Sequence, residues 1–299
     1  MAVTAAAALH GTAVPVVEMG RLSAWGQFRR NRLAVAGLAI VALLLIAAVG
    51  APWLAPADPA KQSLIEKRAK PGGKFLLGAD EFGRDILSRV IYGARVSMAV
   101  GFGGVALGLL LGTAVGLASG YFGGRLDLIL QRVVDAFMCF PLLLVALTIM
   151  ALLGPGLGNV ILTLGLVLGV RDSRVIRSAV LSVKAHLYLE AARALGAAHP
   201  AMIGRHVLPN ILAPIIILGT VNLGAIILTE AALSFLGFGV PPPRPSWGGM
   251  LSGAGLVHML RAPWLALWPG VALSLAVFGA NMLGDALRDV LDPRLRGSR

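Results

Sequence analysis

Charge is the first thing this sequence is short of. Only 13% of its 299 residues are Asp, Glu, Lys or Arg, against about 25% in a soluble domain. That density cannot cover a water-facing surface, so a soluble single domain is excluded. Extended polar stretches are scarce too: 57% of the chain is hydrophobic, which excludes a disordered chain. The single cysteine, Cys139, excludes an internal disulfide and a thiolate metal cluster. In its apolar run it reads as a small buried hydrophobe. The five histidines (His10, His186, His199, His206 and His258) have no ligand spacing, so no metal site is expected. No G-x-x-x-x-G-K-[ST] occurs: Lys74 alone follows a glycine, and Phe75 comes next. The chain therefore has no phosphate-cradling loop and binds no nucleotide cofactor of its own. H-E-x-x-H, Gly-x-Ser-Gly and paired membrane aspartates are missing as well, so no catalytic residue is assigned.

What is present is long apolar sequence. Mean hydropathy is +0.83, with 38 glycines and no G-X-Y period. High glycine with high hydropathy fits membrane helices, and runs without alternation exclude a transmembrane barrel. The net charge of +12 would suggest nucleic acid in a soluble protein. Here anionic lipid and the positive-inside bias account for it, and no nucleic-acid partner is expected.

A span needs about 20 mostly apolar residues. Uncharged runs cover 33–57, 96–124, 136–170, 211–229 and 265–284. As one helix, 136–170 would be ~52 Å long, too long for a ~30 Å core. Gly154-Pro155-Gly156 is a turn signal near its middle, so the run divides into two helices. Six spans follow, with both termini on one side. The second of the pair is short unless it continues past Arg171. With the N-terminus cytoplasmic, the inside segments 1–32, 121–132, 171–210 and 285–299 hold sixteen of the 26 Lys and Arg. Eight of the others lie in 52–95, set aside as a folded outside element.

The second span carries Gly104, Gly108, Gly112, Gly116 and Gly120, a ridge of glycines four apart. Such a ridge admits a neighbouring helix closely or forms a smooth wall to a substrate path; packing is the preferred reading. Before it, Asp85 is placed to cap a separate amphipathic helix with Ile86, Leu87, Val90 and Ile91 as its apolar stripe. That helix serves as a connector or as a docking element. Candidates for the translocation path are Glu230, Asn222 and Met138. An intramembrane carboxylate is a functional candidate by default, although Glu230 at the end of its run is also placed to face water or to cap the segment 231–235. Asp135 reads as half of an ion pair at the inner edge.

The segment 171–210 is long for a passive connection. Ser182 to Leu195 is rich in helix formers, Gly196 suits a C-terminal cap, and Pro209 breaks the chain before the next span. Periodicity alone leaves a solvated loop and a docking helix equally open. The order Glu190-Ala191-Ala192, three residues, Gly196, then Leu208-Pro209, resembles the signature loop of ATP-binding-cassette (ABC) importer permeases.

Other segments resemble the dipeptide/oligopeptide branch of that family. They are Leu77-Gly78 through Asp85, Tyr92 to Ser97, Asp135-Ala136-Phe137 with Phe140-Pro141, Glu230 to Gly239, and Pro245-Ser246-Trp247-Gly248. Asn281, Gly284-Asp285, Leu287-Arg288-Asp289 and Leu291-Asp292-Pro293-Arg294 complete the set. The likeness covers roughly 25–297. Ala79 stands where the branch often has Thr, and His206 where the general signature has Ile.

The resemblance implies an all-α polytopic membrane protein with six transmembrane helices and the type I ABC importer permease fold. Its parts would be a cytoplasmic tail (1–32), a first span with an extracytoplasmic segment (33–95), a five-helix core (96–284) and a cytoplasmic tail (285–299). Implied partners are a second homologous permease, two cytoplasmic ATPase subunits, an extracytoplasmic substrate-binding protein and membrane lipid. ATP and Mg would be bound by the ATPases. Glu190, Ala191, Ala192, Arg193, Leu195 and Gly196 would form the coupling helix on one ATPase. Peptides are the expected cargo, carried across a bacterial cytoplasmic membrane, with nickel chelates or glutathione as alternatives. An ion-coupled secondary transporter is the rival reading; it would not need a forty-residue coupling element and would usually carry inverted repeats.

Overall fold

The structure is a computed structural model and describes residues 24–253 and 257–291. The motif residues Asp292-Pro293-Arg294, His10 and the N-terminal tail up to residue 23 lie outside the described residues. Regular structure among the described residues is helical, apart from two isolated bridges, Gly72 with Phe75 and Ala79 with Asp85. The helices are α1 (Ala24–Arg30), α2 (Arg32–Leu54), α3 (Ile86–Phe122), α4 (Gly124–Met138), α5 (Leu142–Leu153) and α6 (Leu157–Lys184). They continue with α7 (Leu187–Ala194), α8 (His199–Met202), α9 (Leu208–Phe235), α10 (Trp247–Leu251) and α11 (Trp264–Leu291).

Among the described residues four stretches are long and apolar enough to cross a membrane: Arg32–Leu54, Ile86–Phe122, His199–Phe235 and Trp264–Val290. A fifth exists if α4 and α5, bent by 93° at their junction, count as one. The expected count of six is therefore not reached by length and composition, because α6 carries charge along its second half.

Two boundaries differ from expectation. The amphipathic helix expected after Asp85 is not separate: α3 runs unbroken for 37 residues, capped by Asp85, whose carboxylate accepts from the Ser88 N–H at 2.8 Å. Its arginines need not end it. Arg89 donates to the Pro59 carbonyl at 3.1 Å and lies 3.4 Å from the Asp80 carboxylate, and Arg95 lies over the Tyr92 ring. The third apolar run is broken at Cys139–Pro141, where Pro141 cannot donate within a continuing helix. Cys139 is consequently exposed at that bend, not buried as its run suggested. The break at Gly154-Pro155-Gly156 falls between Leu153 and Leu157 as expected.

Glycines set the helix directions. A Cβ on Gly104 would press on Ile226 of α9 and lie 3.8 Å from Leu164; one on Gly108 would meet Leu168, one on Gly112 the Gly169 oxygen, one on Gly116 the Ser173 oxygen and one on Gly120 Val180. Both numbers rise together, so α3 and α6 run parallel. All five glycines are buried. Gly101 against Ile227 and Gly219 against Leu109 make α9 antiparallel to α3. Gly224 against Asn281 and Gly284 against Val221 make α11 antiparallel to α9. Gly37 against Leu283 and Gly279 against Ile40 turn α2 back again. The start of α2, the ends of α3, α6 and α11, and the start of α9 thus share one end of the bundle. There Phe28 of α1 packs with Ala34, Ala286 and Val290.

At the opposite end, residues 237–251 close over the start of α3. The Trp247 indole donates to the Val90 carbonyl at 3.0 Å, and its ring lies against Gly93. Gly248 sits where a Cβ would meet the Ala231 oxygen at 2.3 Å. The Pro-Ser-Trp-Gly motif is thus a fitted plug, with Ser246 capping α10.

Candidate functional site: the loop between α6 and α9

α6 is 28 residues long, ~42 Å at 1.5 Å per residue, and outreaches a ~30 Å hydrocarbon core. Its second half carries Arg171, Asp172, Arg174, Arg177 and Lys184. Arg177 grips Asp127 of α4 with two bonds of 2.6 Å, and Ser119 donates to the same carboxylate. Arg174 pairs with Asp135, an ion pair that the position of Asp135 suggested. The Lys184 ammonium donates to the Tyr121 carbonyl at 2.6 Å. Together they fasten the α3–α4 turn and α4 along the charged half of α6.

Beyond Lys184 the chain breaks at Ala185–His186, and α7 begins. Ser182 to Lys184, expected in the short helix, belong to α6. Glu190 in the first turn and Arg193 in the last suit the dipole of α7. Gly196 ends it at φ +80. Its N–H donates to the Arg193 carbonyl at 3.0 Å, and the Ala197 N–H to the Ala192 carbonyl at 3.1 Å. This Schellman pattern requires the left-handed conformation that glycine supplies cheaply.

Only Leu189 of α7 is buried, at 2% exposure. It enters a cluster with Tyr121 of α3, Ile176 and Val180 of α6, and Met202, Val207 and Ile211 on the return arm. The opposite face is open: Leu187 is 81% and Leu195 88% exposed, with Glu190, Ala191 and Arg193 beside them. α7 is thus a short helix seated by one apolar anchor, presenting leucines and charges at the end of the bundle where α6 stops.

The candidates for a translocation path lie in three different surroundings. Glu230 is fully buried, its carboxylate accepting from Ser97 at 3.2 Å and Ser234 at 2.7 Å. It therefore neither faces water nor lines an open space within this chain, contrary to the exposed position its place in the run allowed. Asn222 donates to both oxygens of the buried Asp172, at 2.9 and 3.1 Å, tying α9 to α6. Met138 is 42% exposed. With Phe137, Phe140, Val167, Val170 and Arg171 it lines a groove of about 270 Å³. Tyr121, Leu189, His199 and the Asp127–Arg177 pair escaped the sequence reading. Their partners are distant in the chain, and no local pattern announces them.

The N-terminal part, residues 22–71, matches the family described as N-terminal TM domain of oligopeptide transport permease C. Among similar proteins is a dipeptide transport system permease protein of Alkalihalophilus pseudofirmus, 40% identical over 91% of this chain and 90% of its own length. A di/tripeptide transport system permease protein of Pseudomonas aeruginosa is 40% identical over 92% of each chain. A glutathione transport system permease protein of Pectobacterium atrosepticum is 38% identical over 91% of this chain and 90% of its own. With residues 104–297 also matched, the chain belongs to the family of binding-protein-dependent transport system inner membrane components.

Proposed function

We propose that this chain is one permease subunit of an ABC importer that carries short peptides inward across a bacterial cytoplasmic membrane. The observation that carries this reading is α7: a short helix whose one buried side chain is Leu189, held out at the end of α6 with its leucines exposed. It serves as the coupling helix, with Glu190, Ala191, Ala192, Arg193, Leu195 and Gly196 at the contact with an ATPase subunit. ATP and Mg act on two such subunits. A second homologous permease completes the pathway, and an extracytoplasmic binding protein delivers the cargo.

Six passes fit the helix directions. α2, α3, the α4–α5 pair, α6, α9 and α11 alternate, and the ends of the described chain meet at one end of the bundle. An even number of crossings requires that meeting. α6 makes the fourth pass by continuing beyond Arg171, and both termini share the cytoplasmic side with α7. In the membrane, Leu43, Val49 and Phe278 face lipid or the second permease. Relatives named for dipeptides, di/tripeptides and glutathione support a short peptide as cargo. Glutathione, itself a tripeptide, is the second reading.

The test is reconstitution. Uptake of a labelled dipeptide into proteoliposomes is expected only with ATP, the second permease, the ATPases and the binding protein present. Gly196→Leu, which forces a side chain into φ +80, is expected to release or uncouple the ATPases while leaving insertion intact. Uptake by this chain alone on an ion gradient would overturn the reading, as would normal ATPase association with normal uptake in the variant.

A further inference from the structure

We propose that Tyr121 and His199 form a clasp that makes the coupling loop rigid, so that a push on α7 displaces α3, α6 and α9 together. This rests on the reading of α7 as the coupling helix. α7 hangs between two breaks in the helical path. One is the break at Ala185–His186; the other is Gly196 with its left-handed backbone. On one side it continues from α6, which lies directly on the glycines of α3, so those two helices move as one body. On the other side it returns through α8, a π-helical turn at Ile203–Val207 and the start of α9. No glycine-to-backbone seam holds that arm to α3.

The clasp adds a polar tie to the apolar cluster that seats that arm. The Tyr121 hydroxyl lies 2.8 Å from His199 Nδ1 and 3.6 Å from the Met202 sulfur. The two rings meet edge to face, with centroids 5.6 Å apart, and Phe122 flanks the same imidazole at 6.0 Å. Tyr121 is 4% exposed and shares its cluster with Leu189, the one anchor of α7. Lys184, the last residue of α6, holds the Tyr121 carbonyl from behind. A second ring contact spans the same gap: Tyr188 of α7 lies 6.3 Å from His206 on the return arm. The end of α3, the end of α6, α7 and the return arm therefore converge on Tyr121. Without the clasp, the breaks at Ala185 and Gly196 would let α7 swing while α9 stayed in place. Tyr121 and His199 are positioning residues that act through α7 and the return arm.

The test uses the complete reconstituted transporter and reads dipeptide moved per ATP hydrolysed. Tyr121→Phe removes the hydroxyl and keeps the ring. His199→Leu removes the ring nitrogen from an exposed position, so it stays readable if Tyr121→Phe fails to accumulate. Both are expected to lower the ratio several-fold while the ATPases still co-purify. His199→Asn, which keeps a polar nitrogen or oxygen near the position of Nδ1, is expected to retain most of the ratio. An unchanged ratio in the first two variants would overturn the proposal. So would loss of ATPase association in either, which would make the contact a docking feature. The wild-type complex separates the two readings: if it recruits no ATPase, the coupling-helix assignment itself fails. If it couples normally and so do the variants, only the clasp fails.

Discussion

Gly112 of α3 and Gly169 of α6 meet backbone to backbone. A Cβ on Gly112 would lie 3.0 Å from the Gly169 oxygen, and one on Gly169 would lie 3.0 Å from the Gly108 oxygen and 3.3 Å from the Gly112 nitrogen. Lipid tails are as apolar as leucine, so helices in a bilayer gain little from burying apolar side chains against each other. Close van der Waals contact between small residues then contributes most of the association. The seam continues to Gly116, Gly120 and Gly165, so α3 and α6 lie close together along most of their shared length.

Widening that seam should be costly. A Cβ on Gly116 would stand 2.5 Å from the Ser173 oxygen and 3.0 Å from the Arg177 nitrogen, both main-chain atoms. Gly116→Leu is expected to destabilise by at least the ~1–3 kcal/mol of an overpacked core, lowering the melting temperature in detergent. Gly158, with nothing within 4 Å of its Cβ position, is the control: Gly158→Leu should leave the melting temperature close to wild type. Equal losses in both would remove the contact as the cause.

Glu230 of α9 is tied to α3 through Ser97 and to its own helix through Ser234. Glu230→Gln keeps the volume and two polar atoms for those hydroxyls, so stability and dipeptide uptake should both persist. Glu230→Ala leaves a void and two unpaired hydroxyls, with a loss of about 2–5 kcal/mol. Thermal melts and uptake assays separate the roles. Abolished uptake in the glutamine variant with an unchanged melt would mean that the carboxylate meets the cargo.

Outside the spans, the Lys74 ammonium donates to both oxygens of Glu66, at 2.8 and 2.7 Å. That hydrogen bonding holds the Glu66 carboxyl below its ordinary value. A carboxyl lowered on folding contributes stability that is fully present above its unfolded value and is lost as pH falls through the folded one. The pair is exposed, so its effect on global stability is small. Lys74→Gln should move the Glu66 titration, followed by carboxyl chemical shift, back toward the ordinary range. An unmoved titration would remove Lys74 as the cause.

Features encoded locally were legible in the sequence. The Gly-Pro-Gly turn separates α5 from α6 because its glycines take backbone angles closed to other residues. Gly196 closes α7 for the same reason. Features that depend on what lies opposite were not. Arg95 looked like the edge of a span, yet α3 passes through it with the guanidinium over Tyr92. Cys139 looked buried because its neighbours are apolar, but the bend at Pro141 exposes it. Glu230 at the end of its run left a path residue, a water-facing carboxylate and a cap for 231–235 all open, and two serines, one of them 133 positions away, bond it where it is buried.

The amino-acid order by itself determined the class of protein, its apolar runs, its glycine ridge and the short helix closed by Gly196. Each comes from hydropathy, period or backbone freedom within a few turns of chain. Only the tertiary structure decided which helix the ridge meets, that α3 and α6 run parallel, and that Tyr121 lies against His199, 78 positions on. Contacts between distant segments depend on how whole helices pack, and no local pattern encodes that arrangement.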